Sequence, residues 1–320
     1  MQRYDGDFLA DLVAECHARG IRVIGGLYFD NATPVREHPD VKRVGRDGNP
    51  VKDRWGRFEA CFNNPLARQH NLETVRHLLA SYDLDGVILD DNFELDQQEC
   101  FCDHCKAAFR AYCEERGAAY EDPAGTLSGP AAELWREHRR EATRRLAAEV
   151  HSIAREHGVP AGGWVGASMG SMHLASVLDF LGGMVYTQPP RAARGPLLVL
   201  GERDFICLLW APDADPARME REVREAVHVG CAAVGFWIRG EDGGYEMDAE
   251  RTAAMRRALG RVEQDWLDYY RRAIVGGDGR FAIVDGSVGP GELRLRLRNT
   301  GAPASRRFDG QIPEQFGPAH

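Results

Sequence analysis

Six short apolar runs, each separated from the next by a stretch of helical periodicity, constrain this chain more than any other feature. They lie at 21–29, 86–90, 161–168, 182–188, 205–211 and 231–238. The helical stretches are 8–19, 67–81, 106–116, 131–157, 171–180, 216–229 and 248–272. Strands alternating with helices imply parallel βαβ units and not an antiparallel sandwich. The expected fold is therefore α/β, a (β/α)8 TIM-type barrel. A closed barrel needs about eight strands, so the chain reads as lacking the first two βα units. Residues 1–275 form this barrel. The tail, 276–320, changes character. Within 281–301, Leu293, Leu295 and Leu297 alternate with Glu292, Arg294, Arg296 and Arg298, which predicts a β-hairpin, the start of a truncated β-sandwich. Residues 302–320 have the Pro/Gly-rich composition of a poorly ordered end.

Charge and composition narrow the partners. The 320 residues carry a net charge of −9, and the Arg-rich stretch 136–145 is interleaved with Glu137 and Glu141. That reads as a solvated helix face, and no nucleic acid is expected. No run reaches the roughly 18 apolar residues of a membrane span, and the N-terminus shows no signal pattern. Eight cysteines, scattered or at metal spacing, point to a reducing cytoplasm. A parallel barrel short of strands exposes apolar edges, which makes a homo-oligomer an expectation.

The centre of the sequence is 85–105, DGVILDDNFELDQQECFCDHC. An apolar run there ends in adjacent carboxylates, Asp90 and Asp91, as strands do at a barrel's active face. Soon after come Cys100, Cys102 and Cys105. Thiolates bind zinc in sets of four, and short spacing lets one loop supply several. The fourth ligand could be Cys61, Cys113 or His104. Cys113 lies eight residues past Cys105, about 12 Å along a regular helix, and His104 would have to turn back on its neighbours. Cys61 ends the long polar loop 32–60, which needs an anchor, and is preferred. Four sulfurs leave no open position, so the zinc (Zn2+) would be structural. A hydrolase using the thiolate-bound metal is a lesser alternative.

The segment from Asp30 to about Phe109 resembles glycoside hydrolase family 42, the β-galactosidases, and related barrels described as hypothetical glycosyl hydrolases. The residues that carry the likeness are HPDVKRVGRDGNP at 38–50, CFNNP at 61–65, DDNFE at 90–94 and CFCDHC at 100–105. The resemblance implies a glycosidase barrel acting on a carbohydrate, with a zinc held by the four cysteines. It also numbers 21–29 as strand three and 86–90 as strand four. The chain departs from the family at two places. Phe93 stands where the family has its acid/base Glu, with Glu94 one residue on, and such a step reverses side-chain direction along a strand. FICLLWAPDAD has no Glu for the strand-seven nucleophile, only Asp213 and Asp215.

Glycoside hydrolysis normally uses two carboxyl groups flanking the bond. The first choice is Asp90 or Asp91, paired across the barrel mouth with Glu241 or Asp242. Adjacent acids repel, which raises one pKa and suits a general acid. Asp30, Asn31, Asn92, Glu94, Gln188 and Arg239 can hydrogen-bond hydroxyls. Tyr28, Phe29, Trp164, Tyr186, Trp210 and Trp237 supply flat faces for sugar C–H groups. His38, His104 and His173 read as solvated or structural. The absence of both family glutamates suits a second reading, a catalytically inactive carbohydrate-binding barrel.

Overall fold

The computed structural model describes residues 6–29, 37–52, 56, 58–90, 100–125, 128–166, 172–184, 204–210, 215–229, 231, 233–237, 248–261, 281–289 and 292–299. The chain divides into two units, Met1–Phe180 and Leu181–His320.

In the first unit, α1 (Phe8–Ala18) starts at Asp7, whose Oδ1 accepts the Leu9 and Ala10 N–H groups at 3.1 Å, a side-chain N-cap. It stops at Gly20, where φ is +70° and the Gly20 and Ile21 amides close back on His17 and Cys16. Only a residue at ease in the left-handed region makes that exit cheaply. β1 (Ile24–Leu27) follows. The 3-10 turn Pro39–Val41 then opens a strap closed by antiparallel bridges Lys42↔Ala60, Val44↔Pro50 and Lys52↔Phe58. Asn64 caps α2 (Pro65–Ser81), which has proline at its first turn. β2 (Gly86–Leu89) is buried along its whole length, as a strand covered on both faces must be.

Parallel pairing joins β1, β2 and β3 (Ala161–Gly166), with Leu27↔Leu89 and Leu89↔Gly163 in register. Two helices lie between β2 and β3: α3 (Asp103–Glu115) and the long α4 (Gly129–Glu156). The buried stripe of α4 includes Trp135, His138, Ala142, Leu146, Val150 and Ile153, spaced three or four apart, one face of a helix. The start of β2 is tied to α1 by Asp85, which accepts the Val23 amide at 2.7 Å and meets His17 Nε2 at 2.9 Å. Gly162 must be glycine, because a Cβ there would collide with the Phe180 ring.

Two neighbouring elements are corrected. The strand expected at 182–188 is β4 (Phe180–Met184), two residues earlier at its start; residues 185–190 lie outside the described set. The helix expected over 171–180 is only a 3-10 turn, Met172–Ser176. Asp179 causes both changes. Its N–H reaches the Ala161 carbonyl and its carboxylate accepts the Ala161 amide, each at 2.9 Å, so the chain is already extended there.

In the second unit, β5 (Asp204–Trp210) and β6 (Ala233–Trp237) pair in parallel, from Ile206↔Ala233 to Trp210↔Trp237. The connecting helix α5 (Pro216–Val229) buries Met219, Val223, Ala226 and Val227. It packs against α6 (Ala249–Leu259), with Arg257 Nε at 2.7 Å from Glu220. The helix expected over 248–272 is shorter, ending at Leu259 where Gly260 caps it and the chain turns; residues 262–280 lie outside the described set. The tail carries the hairpin β7 (Phe281–Gly289) and β8 (Glu292–Asn299), antiparallel, with an irregularity between Ile283 and Asp285. Among the described residues, no helix is long and apolar enough to cross a membrane.

Candidate functional site

Two groups of residues carry chemistry in the first unit. The first is the cysteine cluster. The Sγ atoms of Cys61, Cys100, Cys102 and Cys105 all lie within 4.8 Å of one another. Cys61 and Cys105 are 3.3 Å apart and Cys61 and Cys102 3.6 Å. Four sulfurs about 2.3 Å from a central cation would stand about 3.8 Å apart, so the set is close to a tetrahedral cage. Cys102 stands at the N-cap of α3 and Cys105 in its first turn, where the positive end of the helix favours thiolates. Cys61 arrives from the end of the strap. Cys113 lies further along α3, outside the group.

The electrostatics show what the cluster requires. The Cys100 thiol is driven far below its usual range by S–H···S bonds from Cys102, Cys105 and Cys61. Cys61 and Cys105 are driven up, first by the Cys100 sulfur. One thiolate is thus solvated by its neighbours' protons. All four can ionise together only around a cation, and the donor set fits one. The surroundings already donate to sulfur: Val44 N–H to Cys100 and Asn63 Nδ2 to Cys105, each at 3.4 Å. The strap is further fixed by Phe101 N–H to the Val44 carbonyl at 2.8 Å and by the Arg46 guanidinium over the Phe101 ring.

Behind the sulfurs lies a cavity of ≈ 20 Å³, lined among others by Arg43, Asn63, Trp135, His138 and Arg139, with room for about one water. His138 is fully buried, stacked on Trp135, tilted against Phe109 and edge-on to Tyr112. Neither ring nitrogen has a hydrogen-bond partner among the described residues. Burial, then the charges of Arg145 and Arg116, push its pKa down to about 4, against the opposing pull of Glu141. The unfolded value is about 6.5. A depressed pKa means that the unfolded chain takes up the proton first, so stability is lost as pH falls from about 6.5 toward 4. The stability gap between wild type and His138→Leu should therefore move by about 2 kcal/mol in the variant's favour from pH 7.5 to 5. Urea unfolding at the two pH values measures it, and a gap that stays constant would refute the assignment.

The second group stands at the C-terminal ends of the strands. Asp90 follows β2 directly, and its N–H donates to the Leu27 carbonyl at 3.0 Å. One step beyond the Leu27↔Leu89 and Leu89↔Gly163 pairs, Tyr28, Asp90 and Trp164 stand at one level. All three are half-buried, whereas Leu27, Leu89 and Gly163 beneath them are buried. Neighbours in parallel register project to the same side, which places Asp90 between Tyr28 and Trp164 in the order of the sheet. Phe29 belongs elsewhere: it is buried, edge-on to Phe62 at 6.5 Å, and is core. In the second unit, Trp210 and Trp237 end β5 and β6 as a register pair, and Trp237 is exposed. His38 and His104 are exposed, and His173 meets the Thr143 hydroxyl at 2.6 Å. Asp30, Asn31, Asp91, Asn92, Glu94, Tyr186, Gln188, Asp213, Arg239, Glu241 and Asp242 lie outside the described residues. Reading the sequence missed Arg43, Asn63 and His138. Only Asn63, two residues after Cys61, carried a signal.

Residues 1–91 match the family described as hypothetical glycosyl hydrolase 6. The β-galactosidase YesZ of Bacillus licheniformis is 26% identical over 122 residues, 36% of this chain and 18% of that protein. The β-galactosidase BgaH of Haloferax lucentense is 32% identical over 106 residues, 30% of this chain and 16% of that protein. The chain thus spans less than a fifth of either curated relative. Among solved structures, a β-galactosidase from the psychrophilic Marinomonas ef1 superposes with a TM-score of 0.64 at 15% identity, covering 85% of this chain and 53% of that one. That likeness shows the fold. The fold is α/β, with parallel strands of the kind seen in TIM barrels.

Proposed function

We propose that the protein is a glycoside hydrolase acting on a carbohydrate at the C-terminal ends of its barrel strands. The observation that carries this reading is Asp90, held at the end of β2 at one level with Tyr28 and Trp164. Rings flanking an acid offer apolar faces to a sugar while the carboxyl reaches its glycosidic oxygen. The candidates for the second carboxyl are Glu241 and Asp242, and Asn92, Gln188 and Arg239 are the candidates to hydrogen-bond the hydroxyls. The β-galactosidases among its relatives make a β-galactoside the first substrate class to try, as the resemblance to glycoside hydrolase family 42 also suggests.

In this reading Cys61, Cys100, Cys102 and Cys105 hold a structural zinc. Soft thiolates in a tetrahedral set suit that ion. Four sulfurs complete its coordination and leave no position for an activated water, so its role is to fasten the strap to α3. A reducing compartment, the cytoplasm, suits ligands that bind only as thiolates, and all eight cysteines are free thiols. The tail from 276 is read as a β segment appended to the barrel, built on the hairpin of β7 and β8.

One observation favours a second reading. Phe93 and FICLLWAPDAD lack both glutamates of the resembling family, which suits a barrel that binds carbohydrate without cleaving it. A panel of nitrophenyl glycosides assayed with folded, zinc-loaded protein decides. Hydrolysis of at least one, with the β-galactoside first, is expected. Silence across the panel together with measurable sugar binding would replace the enzyme by the binding barrel.

A further inference from the structure

The strap raises a question that its cysteine does not answer: why it buries an ion pair beside the sulfurs. Arg43 and Glu59 pair through Nη1 and Oε2, and both are almost wholly buried. Such pairs seldom stabilise a fold by themselves, because desolvation costs about as much as the attraction returns. Glu59 Oε1 accepts no hydrogen bond among the described residues, so the carboxylate is not ideally satisfied. The guanidinium has another set of neighbours. It lines the small cavity with Cys61, Cys100 and Cys105, and these sulfurs partly offset the effect of burial on it. One residue further along, the Val44 amide donates to Cys100, and at the far end of the strap the Asn63 amide donates to Cys105.

A divalent cation with four thiolates carries a net charge of about −2. Inside a protein that charge needs compensation from fixed positive charge and N–H donors. We propose that Arg43 and Asn63 are the outer-shell residues that set how tightly the four-cysteine site holds its cation, Arg43 as buried counter-charge and Asn63 as donor to the Cys105 sulfur. Glu59 orients Arg43 but opposes the cluster's charge. The inference rests on the reading of the cluster as a metal site. It adds a coupling: the segment that brings Cys61 also brings the charge that makes Cys61 a good ligand.

The test is zinc affinity by competition with a chromophoric chelator, on wild type, Arg43→Gln, Asn63→Asp and Glu59→Gln. Outer-shell losses commonly weaken metal sites by about 10–100-fold. Arg43→Gln and Asn63→Asp should raise the zinc Kd by that factor, whereas Glu59→Gln should leave it unchanged or lower it. The proposal is overturned if Glu59→Gln weakens zinc as much as Arg43→Gln, since Arg43 would then act only by bracing the strap. It is equally overturned if Asn63→Asp and Arg43→Gln bind like wild type. Should Arg43→Gln not fold, Asn63→Asp set against Asn63→Ser decides, with the added carboxylate expected to bind more weakly. A wild-type protein that holds no zinc overturns the metal reading itself, an outcome distinct from wild type and variants binding alike.

Discussion

Replacing Cys105 with serine is expected to release the bound cation and lower the unfolding free energy by about 4 kcal/mol when free zinc stands a thousandfold above the native Kd. The magnitude follows from linkage: a ligand that binds only the folded state stabilises it in proportion to the logarithm of its saturation. Cys105 is buried on the first turn of α3, 3.3 Å from Cys61 across the closure of the strap. A hydroxyl there is a poor ligand for a soft-thiolate site and leaves three sulfurs facing each other. The damage should concentrate in the strap, because its bridge Lys42↔Ala60 leads directly to Cys61. Urea unfolding with zinc analysis on the same samples measures the effect. Chelating the metal from wild type should reproduce it. Cys113→Ser, on the same helix but outside the cluster, should keep one equivalent of zinc. A Cys105→Ser protein that binds zinc as tightly as wild type would contradict the assignment.

The strand–helix alternation and the end of the run 86–90 were plain in the sequence because both depend on local periodicity. β2 is apolar throughout since it is buried on both faces, and the first polar residue, Asp90, marks its end. The cysteine spacing was legible for a similar reason, with Cys102 and Cys105 one helical turn apart. What was not legible depends on contacts between distant segments. Asp179 looks like part of a helix in SMHLASVLDF, and only its two bonds to Ala161 show that the strand begins at Phe180. Phe29 cannot be told from Tyr28 without knowing which face of β1 meets Phe62. Arg43 lies 57 positions from Cys100 in the chain, so its place beside the sulfurs exists only once the strap has folded.

The second large effect is expected at Asp90. Replacing a general acid or base by its amide removes a proton donor or acceptor while keeping shape, and costs about 10²–10⁴-fold in rate. Asp90 is suited to such a test because its backbone is held by the Leu27 carbonyl, so Asp90→Asn should keep the strand end in place. The same variant should leave the cysteine cluster untouched and bind one equivalent of zinc. An effect on kcat with KM little changed would mark a group that acts in the transition state and not in ground-state binding. The most direct measurement is therefore kcat/KM for wild type and Asp90→Asn on the best nitrophenyl glycoside, with zinc content determined on the same preparations. A fall of about 10²-fold or more at unchanged zinc content is the result predicted for a glycosidase working from the end of β2. Equal kcat/KM in the two proteins would contradict it and remove Asp90 from the chemistry.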